Sequence, residues 1–243
     1  MQQTLIIIVS FLVFLFPLYI LSKDDYALSK KNVSAEKVFD LALIFALLTL
    51  LFARLFYVLF NFSSNFFNPL YFFLIPYFPG LSFSGGILGS LLVLLLYSKT
   101  PKIPVLRIFD FFAISILCVF PIAFFIQNAY ILTAEKTNII LFVLELLIYI
   151  ILAVVFVRIF QKIKMEEGSM GFLILASLSF VMLVTKIFEK WGHFPIYTLS
   201  DLTTFALFLI SIILYSKKEN VVSKLKTIDG IGFIKRIARR KSA

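Results

Sequence analysis

Apolar residues run through this chain in long unbroken stretches, with polar residues confined to short gaps between them. A membrane-crossing helix needs about 20 mostly apolar residues. Counting along the chain gives seven candidates, at roughly 4–22, 39–60, 81–98, 106–127, 139–158, 170–188 and 199–215. The runs are continuously apolar rather than alternating, which predicts helices and not a β-barrel. The expected architecture is all-α and polytopic: one domain of seven transmembrane helices over residues 1–216, then a basic tail over 217–243. The first run, "LIIIVSFLVFLFPLYILS" (Leu5 to Ser22), has no basic segment ahead of it and no small-x-small cleavage site before Lys23. It reads as a retained span rather than a signal peptide.

Lysine and arginine in the gaps then predict the orientation. Alternate gaps carry 19 and 3 of them, and the richer set includes the tail. The bias places the N-terminus outside and the C-terminus in the cytoplasm. That arrangement requires an odd number of crossings, and seven satisfies it.

Composition strengthens this picture. The 243 residues are 61% hydrophobic and 15% charged, against about 45–50% and about 25% for a soluble domain. The net charge of +10 is no sign of a nucleic-acid partner, because the topology accounts for most of the basic residues. The tail interleaves its cations with Val221, Leu225, Ile228, Phe233 and Ile237 and reads as an anchor on the anionic inner leaflet. The single cysteine, Cys118, lies mid-span with no partner for a disulfide or a thiolate metal site, and reads as a packing residue. No P-loop, dinucleotide fingerprint, HExxH or nucleophile elbow is present. Residues 199–215 lack the deep lysine of a retinal protein, and no paired broken helices suggest a secondary transporter.

Charges inside the spans are the sharper signal, since each costs about 2.5–3.5 kcal/mol at the bilayer centre and needs a partner, water or a function. Arg54, in "LLFARLFYVLFN", reads as a phosphate or carboxylate clamp, or as the structural partner of Asp110 or Glu145. Asp110 is placed near the cytoplasmic interface beside Arg107, whereas Glu145 falls within the apolar "FVLELLIYI". The only histidine, His193, sits in the "EKWGHFPIY" gap with no ligand-spaced neighbours, and with Trp191 and Tyr197 reads as an interfacial anchor. No metal and no cofactor are expected. Residues 79–90, "PGLSFSGGILGS", break the apolar pattern. They predict either a polar cradle facing a lipid headgroup or glycines (Gly85, Gly86, Gly89) that let helices approach closely.

From Arg54 to Asp110 the chain resembles the prolipoprotein diacylglyceryl transferase family, seven-span bacterial inner-membrane enzymes. The similarity lies in "ARLFYVLFN" (Ala53 to Asn61), "NPL" (Asn68 to Leu70) and "GLSFSGG" (Gly80 to Gly86), with an aspartate at the spacing of Asp110. It covers about a quarter of the chain, and order and spacing carry it. The resemblance implies transfer of the diacylglyceryl group of phosphatidylglycerol to a lipobox cysteine thiol, with release of glycerol phosphate. It implies as partners phosphatidylglycerol, or a related anionic phospholipid, and the prolipoprotein signal peptide. As lipid- or phosphate-binding residues it suggests Arg54, Tyr57, Ser82, Ser84, Gly85, Gly86, Gln127 and Asn128.

The departures are specific. Ser84 stands where the family has a histidine, and the family's Gly-Arg-x-Gly-Asn signature falls on "FPIAFFIQNAYILTAEK", its arginine near Phe124 and its first asparagine on Gln127. The sixth span reads "FVMLVTKIFEK", with Lys186 the nearest cation to a family arginine. No catalytic residue is therefore assigned. Three readings follow: a divergent transferase using relocated groups such as Arg54 and Lys186, a non-catalytic phospholipid- or lipoprotein-binding relative, and an unrelated seven-span transporter or receptor.

Overall fold

The structure is a computed structural model that describes residues 2–23, 25–62, 72, 80–98, 103–134, 139–162, 165–189 and 198–219. Among them the chain is helical throughout, with no strand. The helices are α1 (Gln2–Lys23), α2 (Tyr26–Lys30), α3 (Ala35–Phe60), α4 (Phe83–Ser98), α5 (Val105–Ala134), α6 (Ile139–Lys162), α7 (Ser169–Glu189) and α8 (Leu199–Lys218). Each apolar run read from the sequence is a helix. Five of them, α1, α3, α5, α6 and α7, are long and apolar enough to cross a membrane, and α4 contributes a shorter apolar stretch, Phe83–Tyr97. The helix α8 carries Asp201 in its first turn and Lys217 and Lys218 in its last. One boundary differs clearly: α5 continues to Ala134, through part of the gap expected at 128–137. The tail from residue 220 on, His193, Trp191, Tyr197 and Asn68 to Leu70 lie outside the described residues.

The centre of the bundle is α5. More than half of its span (56%) is buried, against 11% for α6, and it packs against α1, α6 and α7. A wholly apolar helix surrounded by others buries every face, whereas one at the rim turns its leucines and isoleucines to lipid. The contact is aromatic: Phe112 of α5 stands 4.5 Å from Phe45 and 5.6 Å from Phe14, ring centre to ring centre. The closest pairings elsewhere are α3 with α4 and α7 with α8.

Charges tie the end of the bundle where α5 begins. Asp25 caps α2 by accepting from the amides of Ala27 (2.9 Å) and Leu28 (3.1 Å). It also takes both Nε and an Nη of Arg107, at 3.1 and 2.9 Å, whose guanidinium lies over the rings of Phe111 and Phe160. Nearby, Asp110 accepts from the amides of Gly168 and Gly171, each at 2.7 Å. Gly168 precedes α7 with φ +88° and has no side-chain oxygen with which to cap it. The carboxylate of α5 therefore supplies the cap from another helix, where orphan amides and the helix dipole both favour an anion.

Candidate functional site

The Gly-Ser stretch forms the start of α4 and its seam with α3. Ser82 is the N-cap: its hydroxyl accepts from the Gly85 amide (3.4 Å) and its carbonyl from the Gly86 amide (3.0 Å). Its own amide donates to the Ala53 carbonyl of α3 at 2.9 Å. Gly85 and Gly89, one turn apart, meet Phe56 and Phe52 of α3. A Cβ on Gly85 would lie 2.5 Å from the Phe56 Cβ and 2.7 Å from the Phe52 carbonyl oxygen, and one on Gly89 would lie 2.6 Å from the Phe52 Cβ. Gly86 has ordinary room, with Thr49 at 3.5 Å. Ser84 is fully buried (0% exposed), its hydroxyl 3.0 Å from that of Ser82.

Arg54 is also buried, at 1% exposed. Its Nε donates to the Phe72 carbonyl (3.0 Å) and an Nη to the Gly80 carbonyl (2.9 Å), and the guanidinium lies 5.7 Å from the centre of the Tyr57 ring. Gly80 sits at φ +147°, where a Cβ would run into that same ring. The sequence offered Asp110 as a structural partner for Arg54, and the structure corrects this. Asp110 caps α7 at the other end of the bundle, because α4 carries the chain back across before α5 begins. Backbone carbonyls of the segment leading into α4 take the guanidinium instead.

A cavity of about 920 Å³ opens beside this seam. Its lining from α1, α3 and α5 is mostly apolar, with Phe11, Leu47, Ala53 and Phe120 among it and the hydroxyls of Ser10 and Thr49 as exceptions, and Leu81 and Phe83 line it at the start of α4. Gln127, Glu145, Tyr149, Thr185, Lys186 and Thr204 also line it, from α5, α6, α7 and α8. The Tyr149 hydroxyl donates to Glu145 Oε1 at 3.4 Å, one helical turn away. Lys186 pairs with Asp201. That aspartate is itself fixed by a capping box, in which it accepts from the Thr198 amide while the Thr198 hydroxyl accepts from the amide of Asp201.

Of the residues singled out in the sequence, Gln127 lines the cavity, while Arg54, Tyr57, Ser82, Ser84, Gly85 and Gly86 are not among its lining residues, although their neighbours Ala53, Leu81 and Phe83 are. Asn128 donates to the Phe124 carbonyl of its own helix at 2.9 Å. Among the described residues no three His, Cys, Asp or Glu side chains gather as a metal site. Sequence reading passed over Tyr149, Thr185 and Thr204. The signal for Tyr149 was available, since Glu145 and Tyr149 are four apart on one helix face. Thr185 and Thr204 lie on different helices with no mark in the sequence to join them.

The model of the prolipoprotein diacylglyceryl transferase family matches residues 4–217 of this chain. The chain belongs to this family. A search of curated proteins finds no match to it. Membership over most of the length removes the reading as an unrelated transporter or receptor: this is a transferase-like membrane protein of lipoprotein biosynthesis. Within the transferase frame, the position of the family's histidine carries a hydroxyl that bonds to that of Ser82, is not among the cavity-lining groups and bears no charge.

Proposed function

We propose that this transferase relative seats an anionic glycerophospholipid of the phosphatidylglycerol class in the cavity and moves its diacylglyceryl group to a prolipoprotein cysteine. The supporting observation is the amphipathic lining. A lipid's acyl chains match the mostly apolar lining from α1, α3 and α5, and its phosphate matches the polar groups Lys186 and Gln127. The volume lies toward the upper end of the roughly 300–1,000 Å³ of small-molecule sites. Lys186 is positioned by a nearly fully buried aspartate, so its ammonium is held in place for a leaving phosphate whose charge grows in the transition state. Arg54, Tyr57, Ser82, Ser84, Gly85 and Gly86 shape the site by holding Phe72, Gly80 and the start of α4 against α3. Asn128 lies beside Gln127 on α5.

In the same reading α1 and α3 to α8 each cross the bilayer once. The N-terminus is outside, the 217–243 tail lies on the cytoplasmic leaflet, and the membrane is the bacterial inner membrane. The cation bias between alternate gaps supports this orientation.

A second reading, a phospholipid-binding relative without transfer, is favoured by the burial of Ser84. Complementation of a bacterium depleted of its own transferase, scored by the mass shift of a reporter lipoprotein, separates the two. A restored shift supports transfer. Phosphatidylglycerol that co-purifies with the chain without any shift supports the second reading. A chain that retains no phospholipid rules out both.

A further inference from the structure

We propose that Glu145 takes the proton of the substrate thiol, so that the reaction's base lies on α6 rather than in the Gly-Ser stretch. This rests on the transfer reading above and names a group for it. Among the described residues on the cavity wall, Glu145 is the one acid and Lys186 the one base. Diacylglyceryl transfer needs one group of each kind: an acceptor for the thiol proton and a cation for the phosphate. Ser84 meets neither need, being fully buried and bonded to Ser82.

A carboxylate in the middle of "FVLELLIYI" is costly to insert, which by itself points to a function or a partner. Tyr149 holds it at Oε1. The tyrosine is 2% exposed and its ring is pinned between Phe120 and Phe124, at 5.5 and 5.4 Å, so the carboxylate is oriented by a side chain that cannot swing away. Tyr149 is thus a positioning residue. The other titratable group among the described lining residues is Lys186, paired with Asp201.

The step balances with the groups present. The thiol proton passes to the Glu145 carboxylate and the sulfur lone pair forms a carbon–sulfur bond to the glycerol carbon. The bond from that carbon to the phosphate oxygen breaks, its electron pair staying on the oxygen beside Lys186. Glycerol phosphate leaves, and Glu145 returns its proton to the product phosphate or to water.

The test uses the full chain in phosphatidylglycerol vesicles with a synthetic lipobox peptide, transfer being read by mass spectrometry. Glu145→Gln is expected to lower kcat by about 100-fold or more, within the usual reach of general-base catalysis, with phosphatidylglycerol retention unchanged. A free thiol ionises near pH 8.5, so the deficit should shrink roughly tenfold between pH 7 and pH 9 as the peptide deprotonates unaided. Tyr149→Phe is expected to slow transfer by about tenfold without changing lipid retention. Transfer by Glu145→Gln near the wild-type rate overturns the proposal. So does a deficit equal at both pH values, or one that tracks lost lipid retention, since either marks a structural role. Wild-type protein that retains lipid but transfers nothing defeats the transfer reading itself, and the role of Glu145 falls with it.

Discussion

Asp110→Ala removes the carboxylate that caps α7 from the neighbouring helix, and its cost follows from two contacts. Both oxygens accept from backbone amides at 2.7 Å, and the side chain is 1% exposed. Hydrogen bonds to a charged group contribute about 1.5–3 kcal/mol each, so losing the pair costs about 3–6 kcal/mol. Gly168 lies against Leu106 and the Lys218 Nζ, and Gly171 lies against Phe109. Asn keeps one acceptor oxygen, so Asp110→Asn should cost about half as much. At about 2–4 °C per kcal/mol for a chain of this size, the alanine variant should melt at least about 6 °C lower, with asparagine between. The assay is thermal loss of helical circular dichroism in one detergent for all three proteins. Per folded molecule, lipid retention should not change, since Asp110 lies about 25 Å along α5 from Gln127. An alanine variant that melts with the wild type would refute the cap. One that melts normally but loses lipid would place Asp110 in the site instead.

The glycines of the α3–α4 seam should not respond alike. Gly85→Ala drives a Cβ onto Phe56 and the Phe52 carbonyl and should cost about 1–3 kcal/mol. Gly86→Ala has room and should be neutral or stabilising by about 0.5–1 kcal/mol in the same melt. Introducing the family's histidine by Ser84→His should not raise the rate of transfer: the site is fully buried, and overpacking should cost about 1–3 kcal/mol of stability. Lys186→Met should weaken phosphatidylglycerol retention about tenfold while leaving neutral diacylglycerol unaffected, measured by extraction from purified protein. Equal loss of both lipids would make the Lys186–Asp201 pair structural only.

The family was legible from Ala53 to Asp110 because that segment is held by backbone geometry, and backbone geometry constrains residue type locally. Gly80 needs a positive φ under the Tyr57 ring, Ser82 caps α4, and Gly85 and Gly89 admit the phenylalanines of α3. These are short-range demands that leave a recognisable string. The same locality misled the search for chemistry, since the conspicuous serines and glycines serve the seam. Glu145 and Lys186 stood out as charges in apolar runs, yet nothing in the string joined them.

By itself the sequence determined the helical class, the approximate position of the long apolar helices and the bias of charge between the gaps. All of these follow from one-dimensional hydropathy, because a bilayer requires every backbone group to be paired within its own helix. Only the tertiary structure decided which buried charge meets which partner. Arg54 turned to carbonyls rather than to Asp110, Asp110 turned to the amides of α7, and Lys186 found Asp201 across two helices. Hydropathy is silent on the rotation of each helix about its axis. That rotation is set by side-chain packing between helices, and it brought Gln127, Glu145, Tyr149 and Lys186 to one cavity.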